Sequence, residues 1–400
     1  ENYAARTHGM SASQIRALFA VANRPEVVSL AGGMPNIADL PLADLGASFD
    51  QLIQTKGVQA MQYGSGQGEL FMREKIIEVM AEEAITANPD DVVITCGSQQ
   101  ALDLVTRIFI DPGDVILAEA PSYVGAMGTF NAYQAQIHHV EMDEDGLLPD
   151  ALRQAVVALR AAGRAVKFLY TIPNFNNPTG ITQPLERRRE VLAVARELGV
   201  LVVEDNPYGL LTIEGEPIDA MRSMDPEVIY LGSFSKVLAP GLRLGYVVAP
   251  EEVHAKMVQA KQAADLHTPS FSQRIVYEAL QDGFIDRHIP EIRSLYAAQC
   301  QHMLAALERE FPAQASWNRP EGGMFIWVDL PQGINTGALL ARAVERNVAF
   351  VPGAPFYAVD PKTNTLRLSF VTVPGEKIDA GIKVLGELLK AEIAGLQAAA

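Results

Sequence analysis

The chain has 400 residues, of which 48% are hydrophobic and 20% are charged, so we expect an ordinary globular protein with two domains. Its formal net charge of −16 argues against nucleic acid or an anionic membrane surface as a partner. Two cysteines, no apolar segment of membrane-spanning length and no signal-peptide pattern fit a reducing compartment, so a cytoplasmic location is expected.

The first predicted element is a short helix near the amino terminus. Ser11-Ala-Ser-Gln14 resembles a capping box, and apolar residues follow it at helical spacing. Arg16 lies beside that apolar stripe and by default faces solvent. A strand-like run then leads into Gly32 and Gly33 before Pro35, which indicates a backbone that another group approaches closely.

A glycine-rich loop follows, with the sequence Tyr63-Gly-Ser-Gly-Gln-Gly68. Glu69 stands where the last glycine of a dinucleotide-binding fingerprint would be, and no strand–helix–strand unit frames the loop. A nicotinamide site is therefore rejected. The Tyr63 hydroxyl is still able to donate a hydrogen bond to a phosphate.

From residue 92 onward, short apolar runs alternate with segments of helical length. This alternation predicts an α/β fold, with a mostly parallel sheet covered by helices on both faces. The seven runs expected to form this sheet are Val92–Thr95, Val115–Ala118, Ile137–Val140, Val166–Tyr170, Val200–Val203, Val228–Leu231 and Leu244–Ala249.

The pattern changes beyond about Pro269, where the chain becomes helical before a second set of short strands. A run of helices followed by strands predicts a separate, smaller α+β domain. Its predicted strands are Met324–Val328, Val348–Phe350 and Leu366–Phe370, and a tail helix is predicted over Ile378–Leu396.

Polar side chains follow several predicted strands of the large sheet, which is where ligands bind in sheets of this kind. Ser98 and Gln99 come at the start of a helix, where free N–H groups and the helix dipole favour an anion. The other polar residues and segments that follow predicted strands are Tyr123, Asn174–Gly180, Asp205–Tyr208 and Ser233–Lys236. Their common position at strand ends predicts one composite site.

The loop after Val228–Leu231 suggests the ligand. It carries Ser233, Ser235 and Lys236, and Arg243 follows. Two hydroxyls and a guanidinium are able to bind a phosphate ester, which leaves the Lys236 amine beside it. An amine next to a bound phosphate suggests Schiff-base chemistry on a phosphorylated aldehyde, namely pyridoxal 5'-phosphate.

Other side chains fit the pyridine ring of such a cofactor. Asp205 at a buried strand end needs a partner, and a protonated ring nitrogen would provide one. Asn177 and Tyr208 are able to hydrogen-bond the phenolic oxygen, and Tyr123 is able to stack on the ring face.

These motifs resemble those of the fold-type I, pyridoxal-phosphate-dependent aminotransferases of class I/II, over nearly the whole chain. The matching segments are Gly97-Ser-Gln99, Pro121-Ser-Tyr123, Asn177-Pro-Thr-Gly180, Glu204-Asp-Asn-Pro-Tyr208 and Ser233-Phe-Ser-Lys236 with Arg243. The segments that resemble the 2-aminoadipate and kynurenine aminotransferase branch are Ile15-Arg16, Ser29-Leu-Ala-Gly-Gly-Met-Pro35 and Gln262–Pro269.

The resemblance implies a ping-pong transfer of an amino group from an L-amino acid to a 2-oxo acid. Lys236 would bind the cofactor and move the substrate proton, and Arg367 would bind the substrate α-carboxylate. Gly33 and Asn177 would also contact the substrate. The resemblance further implies a homodimer with active sites at the interface, where Tyr63 reaches the phosphate bound by the partner chain.

For domain organisation, the resemblance implies a small domain made of residues 284–400 together with an N-terminal segment, residues 1–36, that folds over the site. Residues 37–283 would form the large cofactor-binding domain. Arg16 would meet a distal substrate carboxylate, so glutamate or 2-aminoadipate is the expected donor and 2-oxoglutarate the expected acceptor. Leucine-like or aromatic amino acids are expected to be accepted as well.

Two other interpretations remain open. Another reaction of the same cofactor, catalysed by a β-lyase or a decarboxylase, would use the same cofactor-binding residues. The fold also serves as the effector sensor of some transcriptional regulators. A metal site is not predicted, because His138 and His139 point to opposite faces of a strand.

Overall fold

The structure, a computed structural model, describes residues 2–12, 14–22, 24–281 and 283–399, apart from the side chains at positions 14, 16 and 399. The helices are α1 (Gln14–Ala22), α2 (Leu42–Ala60), α3 (Leu70–Ala81), α4 (Gly97–Phe109), α5 (Val124–Ala132), α6 (Pro149–Ala161), α7 (Leu185–Leu198), α8 (Met221–Met224), α9 (Glu251–Asp265), α10 (Ser270–Ala279), α11 (Phe284–Glu310), α12 (Thr336–Glu345) and α13 (Gly375–Ala399). The strands are β1 (Val28–Ser29), β2 (Val92–Thr95), β3 (Val115–Glu119), β4 (Gln136–Val140), β5 (Met142–Asp143), β6 (Gly146–Leu147), β7 (Val166–Thr171), β8 (Leu201–Asp205), β9 (Ile229–Ser233), β10 (Gly245–Val248), β11 (Ser316–Trp317), β12 (Phe325–Asp329), β13 (Val348–Ala349), β14 (Val351–Pro352) and β15 (Thr365–Ser369).

The seven predicted apolar runs form one seven-stranded sheet, in the order β2-β10-β9-β8-β7-β3-β4. Strand β10 is antiparallel to both of its neighbours, and the other pairings are parallel. The prediction of a mostly parallel sheet is therefore confirmed. Strands β2, β3 and β9 are buried along their whole length, as expected for a sheet covered on both faces.

Helices cover both faces of this sheet. Val191 of α7 and Val202 of β8 belong to one buried cluster, and Leu104 of α4 belongs to the cluster on the other face. Helix α7 ends at Gly199, whose φ of 61° is the left-handed conformation that commonly terminates helices. Such crossover helices return the chain to the same edge, so the carboxyl ends of β3, β7, β8 and β9 lie together.

The C-terminal part forms an antiparallel sheet of four strands, in the order β11-β12-β15-β14. The prediction of a strand over Val348–Phe350 is confirmed for Val348–Ala349 but not for Phe350. Val348–Ala349 pairs with β1, whereas Val351–Pro352 pairs with β15, and the fully buried Phe350 lies between the two pairings. An apolar run indicates that a segment is buried but carries no information about which strand it pairs with.

The N-terminal segment lies on this smaller sheet. Strand β1 pairs in parallel with β13, and Leu18 and Val27 join Trp327 and Phe356 in a buried cluster. The division into residues 1–36, 37–283 and 284–400 stays a prediction, as does the cytoplasmic location. None of the helices in the described part of the chain is long and apolar enough to cross a membrane.

Candidate active site

The ends of neighbouring strands bring the predicted polar residues to one edge of the large sheet. Asp205 ends β8, Ser233 ends β9, and the loop after β7 carries Asn177. Strands β7, β8 and β9 are adjacent and parallel, so these three ends lie side by side. Gly245, the first residue of β10, pairs with both Ser233 and Thr95, which brings the start of α4 to the same edge.

Lys236 lies in the turn after β9, and its amine donates a hydrogen bond to the Gly33 carbonyl oxygen at 2.6 Å. Burial lowers the pKa of Lys236 to about 8, and the positive charges of Arg367 and Arg243 contribute to the decrease. At neutral pH, a larger fraction of this amine is unprotonated than for a lysine in water. The unprotonated amine is the form that attacks an aldehyde.

Asp205 is 2% exposed, and its Oδ2 accepts a hydrogen bond from the Tyr170 hydroxyl at 2.6 Å. Its Oδ1 is buried and has no hydrogen-bond partner among the described residues. Burial raises the pKa of Asp205 to about 6, and the Tyr170 hydrogen bond offsets only part of this increase. A buried carboxylate oxygen of this kind requires a donor.

Asn177 connects Tyr208 to Arg367. Its Nδ2 donates to the Tyr208 hydroxyl at 3.4 Å, and its Oδ1 accepts from Nη1 of Arg367 at 2.7 Å. All three side chains are buried. Burial raises the pKa of the Tyr208 phenol, so its hydroxyl stays protonated and able to donate at physiological pH.

Arg367 belongs to β15, so its guanidinium enters the site from the smaller sheet. Its Nη2 donates to the Ala31 carbonyl oxygen at 3.0 Å, and its Cζ lies 4.0 Å and 5.2 Å from the ring centroids of Phe325 and Phe356. Burial lowers the pKa of Arg367 to about 10, which still leaves it charged at pH 7. Its buried Nε has no partner in the described part of the chain. A buried cation with an unused N–H is suited to a carboxylate.

The first turn of α4 lies against β10, where a phosphate is expected. Gly97 has a φ of 72°, and a Cβ at this position would lie 2.6 Å from Nη2 of Arg243. A Cβ on Gly245 would lie 2.7 Å from the backbone nitrogen of Ser98. The two glycines thus permit Arg243 and the helix start to come close together. The first N–H groups of a helix have no intrahelical acceptor, so they suit an anion.

Four other predicted residues lie at the end of β9 and just after it, in α4, and directly before α5. The Ser233 hydroxyl accepts a hydrogen bond from the backbone N–H of Ser235 at 3.0 Å, and Gln99 donates to the Thr129 hydroxyl of α5 at 2.7 Å. Tyr123 directly precedes α5. A Cβ on the neighbouring Gly125 would lie 2.5 Å from the Tyr123 hydroxyl, so glycine leaves space for this ring.

One predicted residue, Tyr63, is not brought together with the others within this chain. Tyr63 is 78% exposed, and its ring makes an edge contact with His267, with 5.8 Å between the centroids. His267 also accepts a hydrogen bond from the backbone N–H of Gly64 at 3.1 Å, which holds this loop in place. The side chain of Arg16 lies outside the described residues.

The residues at this edge fit pyridoxal phosphate at both of its polar ends. The free Oδ1 of Asp205 suits a protonated ring nitrogen. Arg243 and the start of α4, brought close by Gly97 and Gly245, suit a phosphate ester. Lys236, whose pKa responds to the charges of both Arg243 and Arg367, provides the amine that an aldehyde requires.

The sequence interpretation missed Tyr170, which binds Asp205. Tyr170 ends an apolar run, and such a residue is indistinguishable from a packed core aromatic until β7 is known to lie beside β8. Phe325 and Phe356, which flank Arg367, were also missed, because both come from the smaller sheet or the loop beside it. The one sequence signal for Tyr170 was its position at the end of a predicted strand, where polar site residues are expected.

Residues 35–385 match the family model described as aminotransferase class I and II. The aromatic-amino-acid aminotransferase 1 of Thermococcus litoralis is 42% identical over 96% of this chain and 93% of its own length. The 2-aminoadipate transaminase of Thermus thermophilus is 42% identical over 96% of both chains. The crystal structure of a kynurenine aminotransferase from Pyrococcus horikoshii in complex with PMP has a TM-score of 0.93 and 40% identity, and the match covers 98% of this chain and 97% of that one.

Proposed function

The chain belongs to the class I and II aminotransferases and depends on pyridoxal phosphate, and from this premise we propose that it moves the amino group of an L-amino acid to a 2-oxo acid. The enzyme belongs to the branch of aminoadipate, kynurenine, aromatic and multiple-substrate aminotransferases. One observation carries the proposal. Lys236 donates to the Gly33 carbonyl and Arg367 donates to the Ala31 carbonyl. An amine that can attack an aldehyde and a guanidinium that can bind a carboxylate therefore lie beside the same short segment.

In this proposal, the groups at the edge of the sheet divide into binding and catalytic ones. The phosphate is bound by the start of α4 and by the loop that follows β9. The Asp205 carboxylate would accept a hydrogen bond from the protonated ring nitrogen, and Asn177 and Tyr208 would donate to the phenolic oxygen. Tyr123 covers one face of the ring. The residues proposed to bind the phosphate are Ser98, Gln99, Ser233, Ser235 and Arg243, with Tyr63 of a second copy.

Lys236 performs the proton transfer in this proposal. Once bound, pyridoxal phosphate withdraws electrons from the substrate α-carbon, so that its proton becomes acidic enough to remove. The Lys236 amine would take that proton at Nζ and then donate it to the cofactor carbon rather than back to the α-carbon, acting first as base and then as acid. Arg367 holds the α-carboxylate so that the Cα–H bond faces the amine, with Asn177 orienting the guanidinium.

We further propose glutamate or 2-aminoadipate as donors and 2-oxoglutarate as an acceptor, with leucine-like and aromatic amino acids also used. The names of relatives at about 40% identity support this range, because they include aromatic amino acids, 2-aminoadipate and kynurenine. Arg16, in helix α1, is the residue proposed to bind a distal carboxylate. Helix α1 belongs to the N-terminal segment that continues to Ala31 and Gly33.

A screen of amino donors against 2-oxo acid acceptors tests this range, and Arg16→Ala tests its cause. Loss of a hydrogen-bonded charge pair costs about 1.5–3 kcal/mol, so kcat/KM for glutamate and 2-aminoadipate should fall roughly tenfold to hundredfold. The kcat/KM for leucine and phenylalanine should change little. Arg24→Ala removes an exposed arginine from the same segment and serves as the control. Equal effects on acidic and neutral donors, or none on either, would contradict the role of Arg16.

We also propose a homodimer in which Tyr63 completes the phosphate site of the partner subunit. The 78% exposed Tyr63 and the exposed Met61 and Leu266 near it support this proposal, because large exposed apolar side chains of this kind mark interfaces. Lys236→Ala and Tyr63→Ala should each lower activity, and refolding the two variants together should restore part of it. A mixed dimer would contain one site in which both residues are intact. A monomeric mass by sedimentation equilibrium, or no restoration on mixing, would refute the shared site.

A further inference from the structure

Glu119, the last residue of β3, is buried beside the site but has no role in the function proposed above. It is 1% exposed. Its carboxylate accepts hydrogen bonds from the Thr171 hydroxyl, from the Ile172 N–H at 3.2 Å and from Nδ2 of Asn176 at 2.7 Å. Gln183 adds a longer contact from its Nε2 at 3.4 Å. All four groups are able to donate, so the carboxylate is surrounded as an acceptor.

Asn176 transmits the position of Glu119 towards the substrate-binding residues. Nδ2 of Asn176 donates to Glu119. Oδ1 of the same amide accepts from the hydroxyl of Thr179 at 2.9 Å and from its N–H at 3.2 Å. These partners leave only one orientation of the amide that satisfies all of them. The next residue, Asn177, accepts from Nη1 of Arg367. A single peptide unit therefore separates the residue that Glu119 holds from the residue that holds Arg367.

The backbone of Glu119 is connected to the other side of Arg367. Its carbonyl oxygen lies 2.9 Å from Nδ1 of His139, and Nε2 of the same ring accepts from the N–H of Ala358 at 2.8 Å. A carbonyl only accepts and an N–H only donates, so these partners assign the proton to Nδ1 of a neutral ring. Phe356, two residues before Ala358, lies against the guanidinium of Arg367. The end of β3 thus supports both a polar and an apolar neighbour of that guanidinium.

We propose that Glu119 is a positioning residue for carboxylate recognition, acting on Arg367 through Asn176 and Asn177. This inference rests on the proposed role of Arg367 in binding the substrate α-carboxylate. Loss of the Glu119 acceptor would leave Nδ2 of Asn176 buried without a partner, and the loop that carries Asn177 would shift to satisfy it. The shift would act on the substrate carboxylate through Arg367 and on the contact of Asn177 with the phenolic oxygen, whereas the phosphate contacts, proposed to come from α4 and the loop after β9, would be unaffected.

The test measures how well the holoenzyme distinguishes a carboxylate from a neutral group of the same shape. Calorimetric titration with 4-methylpentanoate and with 4-methylpentanamide gives two dissociation constants, and neither ligand has an amino group to transfer. In Glu119→Leu, the preference for the acid over the amide should fall roughly fivefold or more. In Glu119→Gln it should stay close to the wild-type value, because the glutamine oxygen still accepts from Asn176 and the Thr171 hydroxyl can turn to accept from the new amide nitrogen.

Thr171→Val provides the matched control. It removes a donor from the same carboxylate but leaves the link to Asn176, so the acid preference should be retained even if the protein is less stable. Should Glu119→Leu fail to fold, Asn176→Ala breaks the same link from its other end and should lower the preference. An unchanged preference in a folded Glu119→Leu enzyme, with acid and amide weakened equally, would overturn the positioning role. If the wild-type enzyme itself binds acid and amide equally, the proposed role of Arg367 fails, and this inference fails with it.

Discussion

Lys236→Ala should give a folded protein that binds pyridoxal phosphate without the visible absorption of a covalently bound cofactor and that transfers no amino group. Lys236 is partly buried and its amine is affected by the positive charges of Arg367 and Arg243, so that its pKa of about 8 leaves roughly a tenth of it neutral at pH 7. In the Lys236→Ala variant, no group at this position could attack the aldehyde or take the substrate proton. Absorption spectra of the reconstituted protein and an assay with glutamate and a 2-oxo acid check both parts.

Two variants separate this chemical role from an effect of lost charge or lost packing. Lys236→Arg keeps a long cationic side chain but has no amine that forms the covalent bond, so it should behave like Lys236→Ala. Lys261→Ala removes a different buried lysine, which pairs with Asp265 at 3.0 Å, and should keep the visible absorption. Turnover by Lys236→Ala with added cofactor would assign the covalent bond to another lysine.

The large sheet could be predicted from the sequence because most of its strands are buried on both faces. A strand such as β2, with all four residues buried, appears as a continuous apolar run between polar segments. The family was also recognisable, because short motifs such as Asn177-Pro-Thr-Gly180 and Ser233-Phe-Ser-Lys236 follow those runs at strand ends. These features depend on local sequence, which is why they are visible without a structure.

Contacts between distant segments could not be predicted in the same way. Phe356 ends a short 3₁₀ helix, Ala354–Phe356, that carries no motif, and only the pairing of β14 with β15 brings its neighbourhood to Arg367. The burial of Glu119 could not be predicted for a related reason. A glutamate at the end of an apolar run is buried in some proteins and exposed in others, and the sequence does not distinguish the two cases. Its four donors come from the strand and loop of β7, which is next to β3 only in the folded sheet.

Asp205→Ala should cut the rate at saturating substrate at least roughly a hundredfold while weakening pyridoxal phosphate binding much less. Most of the binding energy is expected from the phosphate contacts, whereas Asp205 stabilises the charge that develops as the α-proton leaves. Stopped-flow rates at saturation and a cofactor titration of the apoprotein measure the two effects separately. Collapse of cofactor affinity with a surviving rate would make Asp205 an anchor and refute its electronic role.

Asp205→Asn distinguishes the charge of Asp205 from its shape. Burial raises the pKa of Asp205 from 3.8 to about 6 in the folded protein, so between these values the folded state binds more protons than the unfolded state, and stability falls as pH rises. Above pH 6 the buried charge therefore costs the apoprotein about 3 kcal/mol. The Asn variant should lose the rate as Asp205→Ala does, yet its apoprotein should unfold at a higher temperature than wild type at pH 8 and show no such gain at pH 4. An apoprotein that is less stable at pH 8 would mean that Asp205 is already compensated without the cofactor, and that the free Oδ1 is not the feature that prepares the site for a ring nitrogen.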